Sequence, residues 1–203
     1  YEIRPRDWSS DVCSSDLAEA NMTVAQPSTP ASYFHLLRWH MKNPARRPLV
    51  VFEPKSMLRL KAAASGLKDF TTGTFQKIID DPSVQNASRL ILCSGKIYYD
   101  LIAERTKLNE SSTAIVRVEQ LYPFPAQEIA AIFAKHPNAN LLWVQDEPAN
   151  QGPWPFVFEN SQVILEGRTL RRVSRRATAS PATGSSHLHE EEQNALIMEA
   201  FSR

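Results

Sequence analysis

Arg89-Leu-Ile-Leu-Cys93 opens the stretch that decides the fold, and Lys96 to Leu108 follows it with helical spacing. Then come Ala114-Ile-Val-Arg-Val-Glu119, Pro125-Ala-Gln-Glu-Ile-Ala-Ala-Ile-Phe-Ala-Lys135 and Asn140-Leu-Leu-Trp-Val-Gln145. The apolar runs are too short for helices and rich in branched residues, which makes them buried strands. Between them Ile129, Ile132, Phe133 and His136 recur at i, i+3, i+4 and i+7 behind Pro125, the spacing of an amphipathic helix with a proline start. Strands alternating with helices imply right-handed crossovers and a mostly parallel sheet covered on both faces. The expected fold class is therefore α/β.

Downstream, Glu147 to Pro155 holds three prolines and is not expected to continue a central strand. Phe156 to Leu165 reads as a helix, Leu170 to Ser174 as a strand, Ala177 to Ser186 as a polar loop and His187 to Phe201 as a closing helix. Upstream, Met22 to Ala25 and Pro48 to Phe52 read as strands around a helix. That helix starts at a Thr29 cap with Pro30 in the first helical position. It presents Tyr33, Phe34, Leu36, Leu37 and Met41 on one broad face. The two strands lack a sheet of their own in this sequence. Lys55 to Ser88 is looser, with a short strand near Phe75 to Ile79.

The chain has 203 residues, 42% of them hydrophobic, with 23 Lys plus Arg against 22 Asp plus Glu. No apolar run approaches the roughly 18 residues that a membrane span needs. A net charge of +1 argues against a broad basic surface for nucleic acid. Two cysteines make neither a disulfide framework nor a four-cysteine zinc site. Residues 7–17, Asp-Trp-Ser-Ser-Asp-Val-Cys-Ser-Ser-Asp-Leu, show no periodicity and look like one reading frame of a sequencing-library adapter, so residues 1–17 are expected to stand outside the fold as an artefactual or disordered tail. Cys93 is then a lone thiol in an apolar stretch, which suits a reducing cytoplasm.

Chemistry-bearing residues are sparse. Ser94-Gly95-Lys96 lies where a strand meets a helix, so its backbone N–H groups form a candidate anion site, although the other glycines of a phosphate-binding loop are absent. A tight turn with a solvated lysine is the plainer reading. Arg168, Arg171, Arg172, Arg175 and Arg176 form a basic run that suits phosphates or a partner's carboxylates, or else protects an edge strand by charge. Asp146-Glu147 follows the C-terminal end of a parallel strand, where α/β sheets place functional groups. His187 and His189 are too differently directed to share a metal, His35 reads as a packed histidine, and Cys93 reads as core. No complete catalytic constellation and no metal site are legible.

Several segments resemble the decarboxylating first component of 2-oxoglutarate dehydrogenase. They are Gln26-Pro-Ser-Thr-Pro-Ala-Ser-Tyr-Phe-His-Leu-Leu-Arg38, Pro48-Leu-Val-Val-Phe-Glu-Pro-Lys-Ser-Met-Leu-Arg59, Cys93-Ser-Gly-Lys-Ile-Tyr-Tyr-Asp100, Ile115-Val-Arg-Val-Glu-Gln-Leu-Tyr-Pro-Phe-Pro125, Val144-Gln-Asp-Glu-Pro-Ala-Asn-Gln-Gly152 and Ser180-Pro-Ala-Thr-Gly-Ser185. Asp146 and Gly152-Pro153-Trp154-Pro155-Phe156 look most like the actinobacterial branch, whose enzyme is fused to a succinyltransferase domain. The likeness runs from about Ala18 to Arg203.

The resemblance implies a thiamine-diphosphate and magnesium enzyme of the tricarboxylic acid cycle that decarboxylates 2-oxoglutarate. It works as a homodimer with succinyltransferase and dihydrolipoyl dehydrogenase components, with no nucleic acid and no membrane partner. It implies that residues 18–60 end a pyrimidine-binding domain, 61–88 connect, and 89–203 form a transketolase C-terminal-like three-layer domain. The cofactor site and the catalytic residues would lie in the remainder of the polypeptide, leaving this part inactive alone. An acetyl-CoA activator site in these relatives would be represented by Thr23 and Gln120. Trp39 stands for an arginine there, Thr74 for a lysine, Lys77 for a serine, and Gln127-Glu128 for an arginine pair. Fewer cations mean fewer charge-assisted bonds to a phosphate-rich ligand, so weak or absent activation is expected. The rival reading is a stand-alone nucleotide-binding or assembly module using the Ser94–Lys96 turn or the arginine run. The matching domain of a pyruvate dehydrogenase or a transketolase fits the fold but accounts poorly for the quoted segments.

Overall fold

The computed structural model describes residues 17–202; the expectation for residues 1–16 lies outside them. Strands β1 (Thr23–Ala25) and β2 (Leu49–Val51) flank helix α1 (Pro30–Lys42), and α2 (Leu67–Thr71) and β3 (Ile78–Ile79) follow. Next come β4 (Arg89–Cys93), α3 (Ile97–Lys107), β5 (Thr113–Val118), β6 (Gln120–Tyr122), α4 (Ala126–Lys135), β7 (Asn140–Pro148), α5 (Trp154–Ser161), β8 (Leu170–Arg175) and α6 (Ser186–Phe201).

The larger sheet has five strands in the order β3-β5-β4-β7-β8. Its pairings are parallel except β3 with β5. Strand alternation sorts its side chains into two cores. Leu90, Leu92, Val116 and Trp143 face α4 and α5 through Ile129, Phe133 and Val157. Ile91, Cys93, Ile115 and Val144 face α3 and α6 through Ile97, Leu101, Leu196 and Ile197. The domain is the three-layer α/β arrangement expected.

Three local expectations change. β7 runs on through Asp146 and Glu147 to Pro148, because its far end forms the rim of the sheet, where Pro148 still pairs with Arg175 across a register shift and a proline is tolerated. The helix expected to Leu165 stops at Ser161 and continues as a 3-10 turn over Gln162–Ile164. On α1, Leu36 is buried, while Tyr33, Phe34, Leu37 and Met41 are exposed, Met41 by 70%. Only part of the apolar face has a partner among the described residues.

The first two strands do find a sheet. β1 pairs parallel with β2 and antiparallel with β6, giving a three-stranded sheet in the order β2-β1-β6. Glu119 alone separates the end of β5 at Val118 from the start of β6 at Gln120, so one segment serves both sheets. Leu17, placed with the tail from sequence, packs against the larger core beside Met22 and Val50.

Candidate functional site at the seam between the sheets

The β1–α1 connection is held by the larger sheet through a set of buried polar contacts. Ser28 is fully buried, and each of its polar groups has a partner. Its N–H donates to Glu119 Oε2 at 2.8 Å, the Arg117 guanidinium donates to its Oγ at 2.9 Å, and the Tyr99 hydroxyl donates to its carbonyl. Ser32 Oγ also donates to Glu119 Oε2, at 2.6 Å. Thr29 caps α1 by accepting from Ser32 N–H at 3.1 Å, as its sequence position suggested.

Burial pushes the Glu119 carboxyl above its ordinary value, against the bonds from Ser28 and Ser32 and the charge of Arg117. Burial also pushes the Tyr99 phenol up to about 12. Cys93 is fully buried and its thiol is raised by the same cause, which makes it a packing group rather than a nucleophile.

The Ser94-Gly95-Lys96 turn belongs to the same seam. Ser94 Oγ lies 2.8 Å from Gln26 Oε1 and 3.0 Å from the Val118 carbonyl. Gly95 has φ +68, and a Cβ there would stand 2.4 Å from Gln26 Nε2. Lys96 Nζ is 3.3 Å from Asp100 and 3.8 Å from Asp146. Gln193 Nε2 donates to both carboxylates, at 2.9 and 2.6 Å. Lys96 and Asp146 thus meet at the ends of β4 and β7, the switch point of the strand order, and there the lysine already sits between two carboxyl groups. Burial pushes the Asp146 carboxyl up despite Lys96.

Three of the run's five arginines are similarly engaged, while Arg171 and Arg176 are exposed. Arg168 donates to the Phe133 and His136 carbonyls, Arg172 to Ala149, and Arg175 to Asp146 and Pro181. Arg168 stacks over Phe133 and Arg172 over Trp154. Because β8 is an edge strand, Arg172 and Arg175 tie loops to that edge and guard it, while Arg168, ahead of the strand, bonds the end of α4. His35 packs against Phe34 and contacts the Asp69 carbonyl at 2.7 Å. His187 is exposed and lies 3.6 Å from Glu191.

Two cavities of about 230 Å³ each flank the seam. The polar one brings Thr23 and Gln120 together with Trp39, Arg47, Lys77 and Phe124. The β1–β6 register, Ala25 opposite Gln120, produces that meeting, which local sequence patterns do not reveal. Gln120 is 3% exposed; its Nε2 donates to the Pro123 carbonyl at 2.7 Å and its Oε1 has no partner. Two of the cavity's cations are engaged elsewhere. Lys77 pairs with Glu128 at 2.7 Å, and Arg47 donates to the Ala20 carbonyl. Thr74, which the resemblance placed at the activator site, is not among the residues lining this cavity.

The apolar cavity lies on the other side, between Val24, Phe52, Leu121, Tyr122 and Phe156, with Gln26, Glu53 and Glu147 at its polar edge. Burial pushes both the Glu53 and the Glu147 carboxyl up, and Glu119 adds to the shift at Glu53. Gly152, at φ +70, lets the chain fold tightly over Glu147, where a Cβ would lie 2.8 Å from the Glu147 Cβ. This cavity had no counterpart in the sequence reading, since its walls come from four separated segments.

A parallel α/β domain joined through a buried seam to a shorter sheet is the class of protein defined here. Residues 64–201 match the family described as 2-oxoglutarate dehydrogenase C-terminal, and the chain belongs to that family. The 2-oxoglutarate dehydrogenase E1/E2 component of Corynebacterium glutamicum is 53% identical over 190 residues, covering 91% of this chain and 16% of that protein. The multifunctional 2-oxoglutarate metabolism enzyme of Mycolicibacterium vanbaalenii is 47% identical over 194 residues, again 91% of this chain and 16% of the relative. The enzyme of the same description from Mycobacterium sp. strain JLS is 46% identical over 195 residues. The chain therefore spans about 16% of the length of these first relatives.

Proposed function

We propose that the chain is the carboxyl-terminal part of an actinobacterial-type, thiamine-diphosphate-dependent 2-oxoglutarate dehydrogenase that decarboxylates 2-oxoglutarate in the tricarboxylic acid cycle. The observation that carries this reading is the family match across residues 64–201 together with 53% identity to a relative of which the chain spans 16%. Among the described residues no group of three or more His, Cys, Asp or Glu is placed to hold a metal ion. The magnesium and diphosphate site of this reading lies in the remainder of the polypeptide. In this reading the segment's role is structural, and its partners are the remainder of the same polypeptide, a second copy in a homodimer, and the succinyltransferase and dihydrolipoyl dehydrogenase components. No helix among the described residues is long and apolar enough to cross a membrane, and the cytoplasm is the compartment proposed.

The direct experiment is a decarboxylation assay with thiamine diphosphate, magnesium and 2-oxoglutarate. The 203-residue chain should show no activity above background, and the longer polypeptide containing it should turn over. Turnover by the short chain alone would contradict the assignment of the catalytic groups to the rest of the protein.

The polar cavity at Thr23 and Gln120 is proposed as a poor acetyl-CoA site. Its size and its unpartnered Gln120 Oε1 suit part of such a ligand, but the Lys77–Glu128 pair leaves little charge for phosphates. Calorimetric titration with acetyl-CoA should give a Kd no tighter than about 1 mM; micromolar binding would sink this point. The Ser94–Lys96 turn, with its lysine held by Asp100 and Asp146, is proposed as a seam contact rather than an anion site.

A further inference from the structure

We infer that Glu119, carrying a proton inside the folded protein, is the catch that holds β1, α1 and β2 against the larger sheet. Loss of that proton lets the three elements open together while the parallel domain stays folded. The inference goes beyond the assignment to a longer enzyme and does not depend on it.

The hydrogen bonding around Glu119 assigns the proton. The side chain is fully buried. Its Oε2 accepts from both Ser28 N–H, at 2.8 Å, and Ser32 Oγ, at 2.6 Å, while Oε1 has no partner among the described residues. Two bonds on one oxygen and none on the other suit a neutral carboxyl with Oε2 as its carbonyl oxygen. A carboxylate in this place would hold a charged oxygen away from water without a donor, at a high cost. Arg117, the cation that faces it from β5, bonds Ser28 Oγ at 2.9 Å and forms no salt bridge with Glu119. The other titratable groups that face it are Glu53 beyond β2, Tyr99 on α3 and Cys93 on β4, and none of them supplies a positive charge. Burial works in the same direction, raising the carboxyl above its ordinary value.

The part that opens is marked by how it is attached. β1 meets β6 through only two residue pairs, Val24 with Tyr122 and Ala25 with Gln120, across a register shift. β4, by contrast, pairs over five residues with β5 and over five with β7. The Gln26 N–H donates to the Glu119 carbonyl at 2.8 Å, and Ser28 takes the bonds from Arg117 and Tyr99. The polar attachment therefore converges on Glu119 and on the connection it holds, and a part with so few ties is the first to open. Each of the two cavities takes one wall from each side of the seam. Thr23 and Trp39 lie with Lys77 and Phe124 in the polar one, and Val24 and Phe52 with Leu121 and Phe156 in the apolar one. The catch thus governs access to both.

The test is hydrogen–deuterium exchange of the 203-residue chain in wild type, Glu119→Gln and Glu53→Gln. Exchange is followed from about pH 5 to about pH 8 and corrected for its intrinsic pH dependence, so that a proton linked to opening shows as a changing protection factor. The closed form binds the Glu119 proton more tightly than the open form, so opening releases it and is favoured as pH rises above 4.5. In wild type the amides of residues 23–36 should be less protected than those of β4 and β7. Their protection should fall with rising pH by up to about tenfold per unit, the limit for one proton. The fall should persist in Glu53→Gln and shrink to less than about half its size in Glu119→Gln, whose neutral amide keeps the acceptor that Ser28 and Ser32 use. Equal protection of residues 23–36 and of β4 would mean that only global unfolding exposes the connection. That result, a flat protection in wild type, or an undiminished fall in Glu119→Gln each overturns the inference. Circular dichroism checks that the variants fold. If Glu119→Gln does not, Ser32→Ala, which removes one donor to Oε2, should lower the protection of residues 23–36 about fivefold at each pH, and unchanged protection overturns the inference as well.

Discussion

Single residues at the seam carry a large share of its integrity. Gly95 combines a left-handed backbone with contact against the Gln26 side chain. Gly95→Ala therefore forces strain and a shift of Gln26 at once, and the expected cost is about 2 to 3 kcal/mol, read as a lower urea midpoint. Glu119 invites a pH experiment. Burial raises its folded pKa above the ordinary 4.5, so its contribution to stability is fully present below 4.5 and is lost as pH rises through the folded value. Glu53, Asp146 and Glu147 shift in the same direction, so the difference between wild type and Glu119→Gln isolates Glu119. That difference in urea midpoint should move in favour of the variant as pH climbs from 4.5 to 8, and a pH-independent difference would contradict the account. At this scale the sequence told part of the story. Thr29, Pro30 and the core character of Cys93 follow from local chemistry, whereas the contacts of Glu119 and Arg117 with Ser28 join residues about ninety apart.

Elements of the larger sheet were legible because each announces itself locally. β4, α3, β5, α4 and β7 begin within a residue or two of their expected starts, since branched runs and 3.6-residue spacing are properties of short windows. The turn from β5 into β6 and the antiparallel pairing of β1 with β6 were not legible, because register between distant strands leaves no periodic trace. α2 was missed in the loose stretch, being a short helix whose Asp69 side chain accepts from the Gly66 N–H at 2.8 Å. The connection before β4 has an anchor of its own. Asp81 accepts from Ile115 N–H at 3.0 Å and pairs with Arg105 at the end of α3. Burial pushes its carboxyl up, but bonds from Ser83 and Ile115 and the Arg105 charge bring it below 3.8. Its contribution is present above 3.8 and is lost as pH falls through the folded value. Arg105→Met should cost about 3 kcal/mol at neutral pH, with acid unfolding shifted to higher pH; an unchanged acid limb would refute this anchor.

The whole molecule has one well-filled domain and one incompletely covered flank. Tyr33, Phe34, Leu37 and Met41 are exposed on α1, Phe34 meets Phe70 of α2 edge to face, and Leu67 on α2 is 80% exposed. Exposed apolar residues grouped on one helix and its neighbour suit an interaction face. The isolated chain should self-associate, and Leu37→Ser/Met41→Ser should shift its sedimentation toward monomer without lowering the thermal midpoint appreciably. Unchanged sedimentation would mean that this face is not what drives association. β2 adds an open strand edge on the same small sheet. Both features accord with a piece that completes a larger assembly. This chain is proposed to be the carboxyl-terminal part of a longer 2-oxoglutarate dehydrogenase. Amplifying and sequencing the source DNA across and upstream of the codons for Ala18 to Met22 tests it most directly. The account predicts an open frame running on without interruption into the rest of the enzyme. A stop codon and a ribosome-binding site just ahead of Met22 would contradict it.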